Sequence, residues 1–341
     1  MIYMRGKNNY FEALKVFACV AVIAIHATGS LVVDKNLSFT TNWWGAIVYN
    51  SIGRWAVPIF IMISGALLLE KERKLNLKKR LIRIIIPMVF WGIFYYLFNL
   101  YSMGYIHTFS IYDMVSELLL GTTSYHMWYL YMLFGLYLSL PIIKIFINSA
   151  SKNDIEYFIV ICFVISGILP LITKFLGVDV NLKVTIFGWE VGYFVLGYYL
   201  NNYCLNKVLE NIIYLIGFLS IFVTIFGTTE LYKSGGLDQF FLSSGSITCI
   251  LMSMAVFILS KNFFNKKDDI FEMISNNTFG IYLIHPFFLT IIKMNVFGVD
   301  LSNITGNTII DIPIVIFLAF MGSCLISIIF RKIKYLKRVV S

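Results

Sequence analysis

Charge is scarce in this sequence. Asp, Glu, Lys and Arg make up 13% of the 341 residues, while 59% belong to the apolar set AVILMFWYC. A soluble domain carries about 25% charged residues. So few charges cannot cover a water-soluble globule of this size, and a chain this apolar does not stay disordered. Cysteine is scarce too: the five (Cys19, Cys162, Cys204, Cys249, Cys324) are scattered, with no CxxC and no close pair. Neither a disulfide framework nor a zinc site is suggested. There is no phosphate-binding GxxxxGK[ST] loop, no GxSxG elbow, no HExxH and no metal-spaced His/Cys group. Coupling to ATP is thus unsupported, and no metal is expected. Acid is outnumbered, 18 Asp+Glu against 27 Lys+Arg, for a net charge of +9. That balance invites a nucleic-acid partner unless the placement of the basic residues explains it otherwise.

Long apolar runs are abundant. A membrane helix needs roughly 20 mostly apolar residues, and ten segments qualify: about 10–33, 44–69, 83–103, 127–148, 156–174, 184–200, 209–229, 238–260, 271–294 and 307–331. The sixth is short and contains Glu190. The stretch Val16–Ile25 imitates a signal peptide, but Glu12, Lys15 and His26 punctuate a longer helix. The connections are too brief to fold separately. The expected fold is therefore all-α: one polytopic membrane domain over 1–341, with about ten transmembrane helices and no separate soluble domain. With a cytoplasmic N-terminus, the inside segments collect Arg5 and Lys7, then Lys71, Arg73, Lys74, Lys78, Lys79, Arg80 and Arg83. Lys144, Lys152, Lys207, Lys261, Lys266 and Lys267 follow, and then Arg331, Lys332, Lys334, Lys337 and Arg338. Only Lys35, Lys174, Lys183, Lys233 and Lys293 fall outside. The positive-inside rule then places both termini in the cytoplasm. The +9 becomes a topology signal, membrane lipid is the expected surrounding, and no nucleic-acid partner is expected.

Ionisable side chains near a helix centre cost about 2.5–3.5 kcal/mol each on insertion scales, so each needs a reason. Lys15 and His26 are eleven residues apart, about three helical turns, and share one face roughly 16 Å apart along the axis. The plainer account pairs Glu12 with Lys15 at the interface and buries His26 in the bundle. Arg80 and Arg83 share a face at the cytoplasmic edge, where two guanidiniums suit a polyphosphate; anchoring on anionic lipid is the plainer account. Arg54 lies too deep in its span for snorkelling and needs a partner, with Glu190 a candidate. Trp128 fits an interfacial aromatic belt, which leaves the neighbouring His126 unexplained. His285 precedes Pro286, which removes a backbone donor and can open a polar pocket; a hydrogen-bonded core histidine is the alternative.

Four stretches together resemble acyltransferase family 3, the integral-membrane acyltransferases. They are Tyr10-Phe11-Glu12-Ala13-Leu14-Lys15 with His26 following, similar to the family's R-x10-H, and Val57-Pro58-Ile59-Phe60-Ile61-Met62-Ile63-Ser64-Gly65 followed by Arg80-x-x-Arg83. The third runs from His126-Met127-Trp128-Tyr129-Leu130 through Gly135-Leu136-Tyr137-Leu138 to Pro141, and the fourth is Gly280-Ile281-Tyr282-Leu283-Ile284-His285-Pro286. One departure is Lys15, which stands where the family usually has arginine and lacks its planar fork.

The resemblance implies a fold of about ten helices in the bacterial cytoplasmic membrane. It also implies acyl-CoA, most commonly acetyl-CoA, as a cytoplasmic co-substrate rather than a bound cofactor. The acceptor would be a hydroxyl of a cell-surface glycan or of its lipid-linked precursor. On that basis His26 and Lys15 are catalytic candidates, Arg80 and Arg83 bind the donor, and Arg54, His126, Trp128, Glu190 and His285 support the acceptor side. His26 acts either as general base on the hydroxyl or through an acyl-histidine. A transporter or flippase for a lipid-linked saccharide is the rival reading, because buried ionisable residues suit it too. A structural subunit of an envelope-assembly complex is a third. Self-association into a homo-oligomer stays open.

Overall fold

The computed structural model describes residues 9–71, 73–178, 187–264, 266–294 and 304–341. Arg5, Lys7, Glu72 and Lys183 lie outside the described residues. Of the described residues, 79% are helical. Its helices are α1 (Tyr10–Val33), α2 (Thr41–Ile52), α3 (Ala56–Leu68), α4 (Leu77–Ser102), α5 (Ile111–Leu120), α6 (Trp128–Ser149) and α7 (Lys152–Phe163). They continue with α8 (Leu169–Leu176), α9 (Trp189–Asn202), α10 (Lys207–Lys233), α11 (Ile247–Phe263), α12 (Asp269–Ser275), α13 (Thr278–Lys293) and α14 (Thr308–Lys332). No strand occurs among the described residues.

Local chemistry sets where the helices begin. The Asn76 side chain accepts the Lys79 N–H at 3.0 Å, so α4 starts inside the basic cluster, with Lys78, Lys79, Arg80 and Arg83 on its first two turns. Ser151 and Asp154 form a reciprocal capping box at α7, and Ser246 caps α11 by accepting from Cys249 N. Those caps also explain where hydropathy overreaches. The run 238–260 holds a non-helical segment up to Ser246, and α11 occupies only Ile247–Phe263. The run 271–294 is broken at Asn276 and Asn277 into α12 and α13. Among the described residues, seven helical units are long and apolar enough to cross a membrane: Tyr10–Val33, Thr41–Leu68, Leu77–Ser102, Trp128–Ser149, Lys152–Leu176, Lys207–Lys233 and Thr308–Lys332. The remaining apolar helices α9, α11 and α13 are shorter, at 14, 17 and 16 residues.

Side-chain bonds between helix ends show that successive helical runs alternate in direction. At one end Tyr10 donates to Asn201 (2.6 Å) and Lys144 to the Glu70 carbonyl (2.9 Å), and the tail folds back from that end so that Trp91 Nε1, midway along α4, donates to the Val339 carbonyl (2.8 Å). At the other end Lys293 donates to Ser30 (2.8 Å), and Ser38 and Tyr232 share a hydrogen bond (2.8 Å). The basic loop and the basic tail meet at the first end, called the basic end below. Of the cations at the opposite end, Lys174 pairs with Asp238 and Lys233 with Glu230. The closest helix packing joins α3 to α9: a Cβ on Gly65 would stand 1.7 Å from the Phe194 carbonyl oxygen, and one on Gly197 1.9 Å from that of Met62. Large apolar side chains such as Ile142, Phe218, Phe226 and Leu325 point outward, as a lipid-facing surface requires.

Candidate active site

Three cavities follow one another from the basic end into the bundle. The outermost, about 620 Å³, is lined by Lys78, Lys79, Arg83, Lys334, Lys337 and Arg338 among others, with no Asp or Glu in its wall among the described residues. It shares Arg83 with a second cavity of about 380 Å³, which also touches Lys15, Ser64, Arg80, Tyr129 and Tyr137. Val22, Val57, Tyr129 and Tyr282 pass from the second cavity into a third of about 330 Å³, which reaches His26, Arg54, His126, Trp128 and Trp189. Lys15, Val22 and His26 thus lie on one face of α1 and line a single succession of spaces, as their helical spacing predicts.

The four stretches that resemble the acyltransferases all contribute to the walls, which Trp189, the 239–244 segment, Ser275, Asn276 and the tail complete. Of the sequence-predicted residues, Lys15, His26, Arg54, Arg80, Arg83, His126 and Trp128 line this succession of spaces, and Glu190 and His285 do not. Phosphate-compatible cations occupy the outer two cavities, and the imidazoles occupy the inner end. Arg80 Nε is buried with no hydrogen-bond partner among the described residues.

Each histidine has a distinct setting. His26 lines the inner cavity, and its ring lies 4.7 Å from that of Tyr125 and 5.3 Å from that of His285, centroid to centroid. His126 is 1% exposed; its Nδ1 shares a 3.0 Å hydrogen bond with Ser124 Oγ, and Tyr282 OH donates to its carbonyl. Its Nε2 is buried with no partner among the described residues. His285 does not line the inner cavity: it is fully buried behind His26, stacked at an interplanar angle of 26°.

Pro286 explains the state of His285. In a helix the N–H of residue 286 would bond to the carbonyl of residue 282, and proline has none to give. His285 Nδ1 fills that place at 2.7 Å, with the Ile281 carbonyl at 3.2 Å. A carbonyl oxygen only accepts, so Nδ1 carries the proton and Nε2 keeps the lone pair. That Nε2 is buried without a partner among the described residues.

Arg54 is not paired with Glu190. Its Nε donates to Asn50 Oδ1 at 3.0 Å, its Nη2 donates to the same oxygen, and its Nη1 donates to the Leu242 carbonyl at 2.9 Å. The reason is local. Asn50 lies one turn before Arg54, and the segment ahead of α11 folds inward to present Leu242. Glu190 sits in the first turn of α9, while its neighbour Trp189 lines the inner cavity and meets Trp128 edge-on at 6.4 Å.

Several residues in and behind the cavity walls escaped sequence reasoning. Asn50 carried a legible signal, being a polar residue inside an apolar run and four positions from Arg54. Gln239, Ser243 and Ser244 carried none, because they belong to an irregular segment that only the fold directs into the cavity. Lys334, Lys337 and Arg338 read as tail charges until the 3₁₀ turn Leu336–Val339 packs against α4. Among the described residues no cluster of His, Cys, Asp and Glu could hold a metal ion.

No curated protein and no solved structure matches the chain. A family model described as an acyltransferase domain matches residues 8–331, nearly the whole chain. Its span includes all four lining stretches. The chain therefore belongs to acyltransferase family 3 and is a membrane acyltransferase.

Proposed function

We propose that the protein transfers an acyl group, acetyl in the simplest case, from cytoplasmic acyl-CoA to a hydroxyl of a cell-surface glycan or its lipid-linked precursor. The observation that carries this reading is the succession of cavities from a mouth rich in Lys and Arg to His26. The donor's phosphates bind at the mouth and at Arg80 and Arg83, where fixed cations favour phosphate oxygens. Its flexible arm runs through the middle cavity past Lys15 and Tyr137. The thioester then reaches the inner cavity.

There His26 accepts the proton of the acceptor hydroxyl as its oxygen attacks the thioester carbonyl, a general-base role. His126 and Trp128 shape the acceptor side, and His285 supports the His26 ring from behind. In this account ten helical runs cross the cell membrane with both termini cytoplasmic, which places the basic mouth on the side where acyl-CoA is made.

The test is release of CoA thiol by the purified protein given acetyl-CoA and a cell-envelope glycan extract. The account expects turnover, with Arg80→Ala and Arg83→Ala each raising the KM for acetyl-CoA by about 10-fold or more and leaving kcat near wild type, as losing a charged hydrogen bond predicts. No turnover with several acyl-CoAs, alongside saccharide transport in proteoliposomes, would contradict it.

A further inference from the structure

The inner cavity holds a guanidinium whose charge is not neutralised. Among the described residues Arg54 makes no ion pair. Both of its acceptors, Asn50 Oδ1 and the Leu242 carbonyl, are neutral. A partly buried cation inside a helix bundle with only neutral partners is a costly arrangement unless an anion joins it during function.

The side chain is also held still. Asn50 cannot turn away, because its Nδ2 donates to the Ile25 carbonyl at 3.1 Å and to Thr28 Oγ1 at 2.9 Å. Thr28 is itself tied to the Ala24 carbonyl at 2.8 Å. The backbone is pinned as well: Cys249 Sγ donates to the Arg54 carbonyl at 3.3 Å. Next to it, a Cβ on Gly53 would stand 2.9 Å from the Ala21 carbonyl oxygen, so only glycine lets this elbow lie against α1, near His26. A guanidinium has five N–H donors, and three are engaged by Asn50 and Leu242. Two remain, in a side chain that lines the same cavity as His26.

We propose that Arg54 is the oxyanion-stabilising residue of the transfer, an inference that rests on the acyltransferase reading above. As the acceptor oxygen bonds to the thioester carbon, the carbonyl π pair moves onto its oxygen, and His26 takes the hydroxyl proton. The two free N–H donors of Arg54 hold that oxyanion. Collapse restores the C=O bond and breaks the C–S bond. The CoA thiolate leaves and takes the proton from His26, so the products are the ester and CoA–SH. The thioester is neutral and the intermediate is an anion, so the interaction strengthens as the reaction proceeds, which is the condition for raising kcat.

The experiment compares wild type, Arg54→Gln and Arg54→Lys as purified full-length proteins, with acetyl-CoA as the donor probe. Thiol release is followed with water alone and with the envelope glycan extract as acceptor. CoA binding is measured by calorimetry and folding by thermal midpoint. The expected result is a kcat loss of about 10²–10³-fold in Arg54→Gln with either acceptor. Arg54→Lys, which keeps the charge without the fork, should lose less. The KM for acetyl-CoA and the Kd for CoA should stay within about twofold of wild type in both. Should Arg54→Gln fail to fold, Arg54→Lys carries the comparison, and its kcat must still fall. A kcat at the wild-type level in the folded variants would overturn the assignment. So would loss of CoA binding, or a raised KM for the glycan with kcat intact, which would make Arg54 an anchor for an anionic acceptor. No thiol release by the wild type would instead remove the acyltransferase reading, and this assignment with it.

Discussion

At the scale of single residues, the arrangement around His26 turns on what a proline withholds. Pro286 leaves the Tyr282 carbonyl without its helical donor, and His285 supplies one from Nδ1 at 2.7 Å. The tautomer of the imidazole stacked on His26 is thereby set by backbone carbonyls. Pro286→Ala returns an N–H to that carbonyl and frees His285 to rotate or change tautomer. The expected outcome is opposite in sign for two measurements. Stability should not fall, because proline inside a helix costs about 3 kcal/mol. The kcat for acetyl-CoA should drop by about 10-fold or more as the support behind the base is lost. Thermal midpoints and steady-state kinetics on the same preparation check both. A variant that is destabilised and fully active would show Pro286 to be structural only.

At the scale of elements, the α3–α9 pair holds the site's two halves together. Gly65 and Gly197 let the two backbones touch, and α9 in turn presents Trp189 to the inner cavity. Gly197→Ala forces a methyl against the Met62 carbonyl and should cost about 1–3 kcal/mol of stability, as overpacking does; denaturant unfolding in detergent measures it.

This scale also shows what was legible in the sequence. Hydropathy locates α1, α4, α6, α10 and α14 because each is a long apolar helix whose composition matches its surroundings. It misplaces the start of α11, because an irregular segment buried in protein can be as apolar as a helix, and it reads α12 and α13 as one span. Phe240, Phe241 and Leu242 count toward a span by composition, yet they form part of the segment that delivers the Leu242 carbonyl to Arg54. The site was legible where spacing alone decides, as for Lys15 with His26 on α1 and Arg80 with Arg83 on α4. It was not legible where distant segments meet. Arg54 finds Asn50 and Leu242 rather than Glu190, and that choice depends on the fold of the 234–246 segment.

At the scale of the whole molecule, the net charge of +9 is unevenly spread. The basic loop, the first turns of α4 and the tail after α14 converge on one end and line a cavity of about 620 Å³. Lys174 and Lys233, at the other end, are paired with Asp238 and Glu230. The concentration of positive charge gives a field that draws a polyanionic donor to the mouth, an effect that salt screens. The combined substitution Lys334→Gln, Lys337→Gln and Arg338→Gln should raise the KM for acetyl-CoA. It should also flatten the rise of KM with salt, while kcat stays near wild type. Equal salt dependence in the variant and the wild type would separate the tail from donor capture.

The central claim is that an acyl group passes from the basic mouth to an acceptor hydroxyl at His26. Mass analysis of envelope glycans tests it most directly, comparing cells with the protein, without it, and with His26→Ala at matched expression. The account predicts an acyl ester present with the wild type and absent from the other two. Identical glycans in all three, or an ester undiminished in His26→Ala, would contradict it.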